Sequence, residues 1–297
     1  MRLVVTPPWL IIAGVAGWPA AGSVCAPDAA NSALFAEWSR IETATLASPA
    51  LDSVQLTESS LRARLWHRAN KRTSESGGRT LRLVHDYRAY DIPSTDIKLE
   101  TNGHLHHLGL EYRVEHGAWE WAVSSLLAAS SNAGRHPRVI DRDTVAWHGV
   151  ARRTHRFGKS VSVIWGVCRD DRLGRRRLAP VVGVDWHLER FELSLGFPES
   201  ALTWEAHPRW AVQARIHPSG GSWRVFSEEL DRRSRFWQSG WRYGVGLTVA
   251  ATAKHRLTAI VEREVRRSFR FRLEDGRNVR TEASAAWLLG LRLQWTG

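Results

Sequence analysis

His104, His106 and His107 look like a metal site at first sight, because imidazole coordinates metals and carries protons near neutral pH. On a strand, however, His104 and His106 share one face and His107 opposes them. At most two can converge, and no companion carboxylate pair completes a site, so neither metal nor cofactor is expected. With 13 His and many Ser some pair falls close by chance, yet no nucleophile elbow and no Ser/His/Asp spacing stands out. No catalytic residue is assigned, and no enzyme is expected. Glu262, Glu264 and Arg266 instead read as a salt-bridge row filling an interior, with Arg242 and Arg292 on corresponding faces of other strands. These charges, Arg242, Glu262, Glu264 and Arg292, are the lumen-facing candidates. Cys25 and Cys168 are too few for a disulfide framework or a thiolate zinc site. Cys25 is expected to leave with an N-terminal export signal or to border its cleavage point.

Charge narrows the partners. Forty-two Lys and Arg against 30 Asp and Glu leave +12, with runs at Arg175-Arg176-Arg177, Arg232-Arg233 and Arg266-Arg267. Such runs fit nucleic acid, but export argues against it and leaves lipid headgroups and lipopolysaccharide phosphates, which guanidinium groups bind well. Residues 1–26 carry the export signal: Met1-Arg2, an apolar run from Leu3 to Trp18, then small residues from Ala20 to Ala26. The run is shorter than the roughly 20 residues a spanning helix needs. No later stretch approaches that length either. Cleavage is expected after Gly22 or Ala26.

The elements that must position these residues alternate at a period of two. In 241–253 the odd positions Trp241, Tyr243, Val245, Leu247 and Val249 are apolar or aromatic, and the even positions are Arg, Gly, Ala and Thr. Residues 283–295 repeat the pattern, with Trp287, Leu289, Leu291, Leu293 and Trp295 on one face. Thirteen such residues run about 43 Å, longer than the strands of most soluble domains. Tilted membrane strands need only about 9–11 residues and place aromatic girdles at both interfaces. Trp241, Tyr243, Trp287 and Trp295 are the interface candidates. Similar segments fall at 80–90, 105–114, 119–127, 145–155, 160–168, 178–187, 191–197, 202–206, 210–216, 223–226 and 257–271. Turn chemistry at 115–117, 157–159, 188–190, 207–208 and 218–221 alternates loosely with longer polar stretches, among them 228–239 and 274–280.

Pro180, Gly183 and Trp186, Gly196-Phe197-Pro198, Leu202, Trp204, Trp210 and Gly220-Gly221 with Trp223 resemble the middle section of a family of bacterial outer-membrane β-barrels catalogued as a domain of unknown function. The likeness covers about residues 60–297. It implies a barrel in the outer membrane of a Gram-negative-type cell and implies no activity. Such barrels commonly end on an aromatic residue read by the barrel-assembly machinery, whereas here Thr296-Gly297 follow Trp295.

The sequence therefore predicts an all-β, antiparallel, up-and-down transmembrane barrel of about 12 strands (10–14) over 77–297. It follows a cleaved signal and an N-terminal segment, 27–76, that is partly helical, around 32–46, or flexible. A monomer with a structural or narrow-pore role is expected. The alternatives are a soluble β-sandwich that stacks sugars on its 16 Trp and an outer-membrane lipid hydrolase.

Overall fold

The computed structural model describes residues 25, 33–44, 54–69, 77–91, 103–175, 177–228, 231–274 and 276–296; the export signal expected over residues 1–26 lies, Cys25 apart, outside them. Among the described residues the chain forms strands β1 (Leu34–Ala44), β2 (Val54–Ala69), β3 (Gly78–Asp91), β4 (His104–His116), β5 (Trp119–Ser130), β6 (Val145–Phe157), β7 (Val161–Asp170) and β8 (Arg177–His187). Then come β9 (Phe191–Phe197), β10 (Ser200–His207), β11 (Trp210–Ser227), β12 (Arg232–Ala250), β13 (His255–Arg272), β14 (Asn278–Ala283) and β15 (Ala286–Trp295). A single helical turn, α1 (Ser131–Arg135), and a 3-10 turn at Pro137–Val139 sit between β5 and β6. No described helix is long and apolar enough to cross a membrane.

Each strand from β2 to β14 pairs antiparallel with its predecessor, β15 pairs with β13, and β15 returns to β1 with Trp295 opposite Leu34 and Leu288 opposite Ile41. The sheet is therefore a closed barrel. β14 and β15 lie end to end along β13, Ala283 opposite Arg267 and Ala286 opposite Glu264, and count as one stave. The wall has 14 staves, not about 12.

Two staves near the N-terminus make up the difference, and one long strand replaces two expected segments. Residues 34–44 form a strand where a helix was expected, and both 34–44 and 54–69 belong to the barrel wall. Pro218-Ser219-Gly220-Gly221, expected as a turn, lies inside β11, and the polar stretch 228–239 mostly belongs to β12. Proline is tolerated there because β10 has already left β11: its ladder ends with Ser200 opposite Ile216. The glycines are required by close approach. A Cβ on Gly220 would lie 2.4 Å from the carbonyl oxygens of both Arg172 and Gln238, and one on Gly221 2.2 Å from the Trp223 ring.

The faces are inverted relative to a soluble protein. Along β15, Arg292 is 0% exposed and Gln294 3%, while Leu289 and Leu291 are each 51% exposed. A soluble sandwich would bury those leucines, each worth about 1.5–3 kcal/mol when removed from water. The sandwich alternative falls on that inversion. Trp287 and Trp295 stand eight residues apart, about 27 Å of strand at about 3.4 Å per residue, which once tilted matches an apolar band of about 25 Å.

The two ends of the barrel differ. One, the turn end, is closed by tight connections after β4, β6, β8, β10 and β12; the other, the loop end, carries the longer connections after β5, β7 and β11. At the loop end β11 rises above β10 and makes one parallel bridge, Arg224 opposite Ala129 at the end of β5. The five staves between them are bypassed. Beyond Ile216 both faces of β11 are buried, and Trp223, Val225, Phe236 and Phe269 join Leu56 and Leu105 in an apolar cluster inside the wall.

Candidate functional site

The interior is built by the inward positions of alternating strands. Arg242 on β12 reaches across to Glu58 on β2 through two hydrogen bonds, 2.7 and 2.9 Å, and donates to Glu264 at 3.2 Å. Glu58 also pairs with Arg88 at 3.2 Å. Glu264 further accepts from Ser219 at 2.7 Å and Gln238 at 3.0 Å. Its neighbour Glu262 accepts from Arg215 at 2.6 Å and stands 3.3 Å from His217. Arg292 makes two hydrogen bonds to Glu37, 2.8 and 2.5 Å. All four interior candidates thus lie in one charged belt, with Arg242 and Glu264 in direct contact. Glu37, Glu58, Arg88 and Arg215 complete it and were missed, although Glu37, Glu58 and Ser60 alternate at the same period of two.

Arg266 is the exception. It adopts φ 53° at a register shift opposite Ser239 and Trp241, and the extra residue flips the parity of β13. Arg266 turns outward, and Arg267 takes the inward place, 3.6 Å from Glu264 with its guanidinium over Phe269 at 5.5 Å.

Nearer the loop end, the connection after β7 folds inward. Asp171 accepts from the Ser222 backbone N–H at 2.9 Å and stands 3.6 Å from His107 and 3.4 Å from His148. His107 stacks on Trp223, ring centres 4.8 Å apart. The three clustered histidines divide as their spacing predicts: His107 faces inward, while His104 and His106 meet Tyr87 and His85 on the other face. There Ser131 Oγ lies 2.9 Å from His106 Nε2, and His106 Nδ1 lies 3.1 Å from His85 Nε2.

Among the described residues, one grouping has metal-ligating types together: Cys25, Cys168 and Asp170, buried within 4.8 Å of one another. Cys25 therefore lies inside the wall, packed with Ala122, Val150 and Val181.

The outward aromatics form rows. Tyr243 is 41% and Trp287 48% exposed, and both stand opposite Arg263, whose guanidinium lies 5.6 Å over the Trp287 ring. Trp241 is half-buried one step nearer the loop end, beside Phe197. Trp295 stacks on His255 at the turn end.

Inside the wall, two cavities lined by described residues hold about 30 and 20 Å³, about one water apiece. The first lies among Glu37, Glu58, Asp86, His107 and Asp171; the second beside Arg215, His217 and Arg242.

Fold and interior together define the class: a closed antiparallel barrel, apolar without and charged within. No protein-family model matches the sequence, so the family likeness over 60–297 has no matching model behind it. No curated protein matches either. Among solved structures the chain is similar to an outer membrane channel from Pseudomonas putida F1, with 12% identity and a TM-score of 0.44 over 89% of this chain and 95% of that one. A triple-mutant porin from Rhodopseudomonas blastica gives 9% identity and a TM-score of 0.31 over 88% and 100%. Likenesses this distant carry no argument, and any function must be read from the chain's own geometry.

Proposed function

We propose that the protein is an outer-membrane β-barrel with a structural or narrow-pore role, passing water and small solutes at most. One observation carries the reading: a closed wall with Leu289 and Leu291 half exposed outside and Arg292 and Glu264 fully buried inside. Water-soluble chains do not distribute their side chains this way, whereas membrane barrels must. The outward aromatic rows, with Tyr243, Trp287 and Trp295 exposed and Trp241 half-buried, lie where headgroups would meet the wall. The charged belt pairs arginines with glutamates, so it favours neither ion sign strongly. Its ion pairs and the apolar cluster above it fill width that 14 staves would otherwise leave open. The protein works as a monomer, delivered by the barrel-assembly machinery.

Planar-bilayer recording tests the proposal. The expected result is a conductance far below that of a roughly 16-strand porin; a comparable conductance would sink the narrow lumen. A second reading, lipid hydrolysis at the outer wall, has the Ser131–His106–His85 chain in its favour. It predicts ester cleavage by the detergent-solubilised protein that Ser131→Ala abolishes without loss of folding.

A further inference from the structure

Outside the lumen, the strongest feature the proposed function leaves unused is a groove of about 220 Å³ at the loop end of the wall. Arg175, Arg177, Arg266, Arg270 and Arg280 line it, together with Trp237, Ser239 and Ser268. No carboxylate belongs to that lining; Glu282, close by, pairs with Arg280 at 2.8 Å.

Three separate devices bring the guanidinium groups together. Arg270 stands directly opposite Arg280 on β14 and opposite Trp237 on β12, and like charges facing each other across a ladder are destabilising unless something negative lies between them. The bulge in β13 turns Arg266 outward onto the same face. The connection after β7 lies against β12, where a Cβ on Gly174 would meet the Ser239 side chain at 2.7 Å, and it carries Arg175 over the Trp237 ring at 6.0 Å. A sequence that only needed a soluble rim would not converge five cations from β8, β13, β14 and a connection.

Height fixes the occupant. Along the outer face of β12 the order from the turn end is Val249, Leu247, Val245, Tyr243, Trp241, Ser239, Trp237. The groove begins where the aromatic row ends, the depth at which the phosphates of a membrane lipid lie. Guanidinium forks match phosphate oxygens two at a time. We infer that this groove binds the phosphate-bearing headgroup of an outer-leaflet lipid. The inference rests on the outer-membrane reading and adds the ligand class and the residues.

The test uses the full chain in dodecyl maltoside micelles, with diphosphoryl lipid A and inorganic phosphate as probes, read by native mass spectrometry. The expected result is retention of lipid A by the unaltered protein and binding at least about tenfold weaker in R270Q/R280Q, with inorganic phosphate a poor competitor. Equal retention by the unaltered protein and R270Q/R280Q overturns the inference, as does no retention by either. Binding of inorganic phosphate without preference for the lipid overturns the lipid assignment. Heat-modifiable gel mobility of the same samples reports on the barrel by itself. A shifted band without lipid retention removes the groove alone, and an unshifted band removes the outer-membrane reading.

Discussion

Arg242 is the residue on which the interior turns. It holds two carboxylates from staves on different parts of the wall, Glu58 and Glu264. Removing it takes a counter-charge from both buried carboxylates, and because Glu58 keeps Arg88 and Glu264 keeps Arg267 the cost is at most about 3–5 kcal/mol, that of a fully broken buried pair. Arg242→Ala is therefore expected to lower the temperature at which the folded band converts to the unfolded one on a heated gel. Arg242→Lys keeps the charge but not the two-pronged contact with Glu58, and should fall between the two. At this scale the sequence was readable wherever the strand kept step. Arg242, Glu262, Glu264 and Arg292 all lie at the inward positions that alternation gave them. Arg266 did not, because a single residue with positive φ reverses every position after it, and nothing in Arg266-Arg267 announces which of the two will be the extra one.

At the scale of the element, β15 shows why some strands are plain in the sequence and others are hidden. Its outward positions are all Trp or Leu, so Leu291→Arg, midway between Trp287 and Trp295, should cost about 2–4 kcal/mol and deplete the protein from outer-membrane fractions. β1 and β2 were illegible because their faces blur. Phe35 and Leu56 point inward beside Glu37 and Glu58, and Arg40 and Leu61 are both exposed on the opposite face. Only closure against β15 resolves them, and pairing across the whole chain is not a local signal. The connection between β5 and β6 gives a pH-dependent case. Partial burial alone would raise the Asp141 carboxyl, but Arg224 at 3.1 Å, the Thr144 hydroxyl and the Asp143 and Thr144 amides hold it below the usual carboxylate range. A carboxylate so depressed contributes stability in full above its unfolded value and loses it as pH falls through the depressed one. Protection of the Asp143 and Thr144 amides against exchange, taken relative to the intrinsic rate at each pH, should accordingly be full at neutral pH and fall in acid before the wall itself opens. Asp141→Asn should remove the difference.

For the whole molecule, the decisive relation is between wall and filling. A wall of 14 staves sets the circumference, and the charged belt, the inward connection after β7 and the upper half of β11 determine how little of it stays open. The polar lumen was legible from face composition. That β11 continues past its neighbour was not, because Pro218 and two glycines carry the ordinary signature of a turn, and the clearance they provide for Arg172 and Trp223 exists only after folding. Gly220→Val should thus disturb the filling and leave the wall: the heated-gel shift persists, while conductance rises above that of the unaltered protein.

The parallel bridge between Arg224 and Ala129 has a practical corollary. It is a clasp between two staves that the sheet itself does not make neighbours, and a clasp can be locked. Ala129→Cys with Arg224→Cys, oxidised in the membrane, would fasten the mouth with one covalent link while every ladder of the wall stays as it is. A current that stops on oxidation and returns on reduction would mark the clasp as the moving part of a gate. A current indifferent to the link would make it a fixed strut, with whatever crosses the barrel passing beside it.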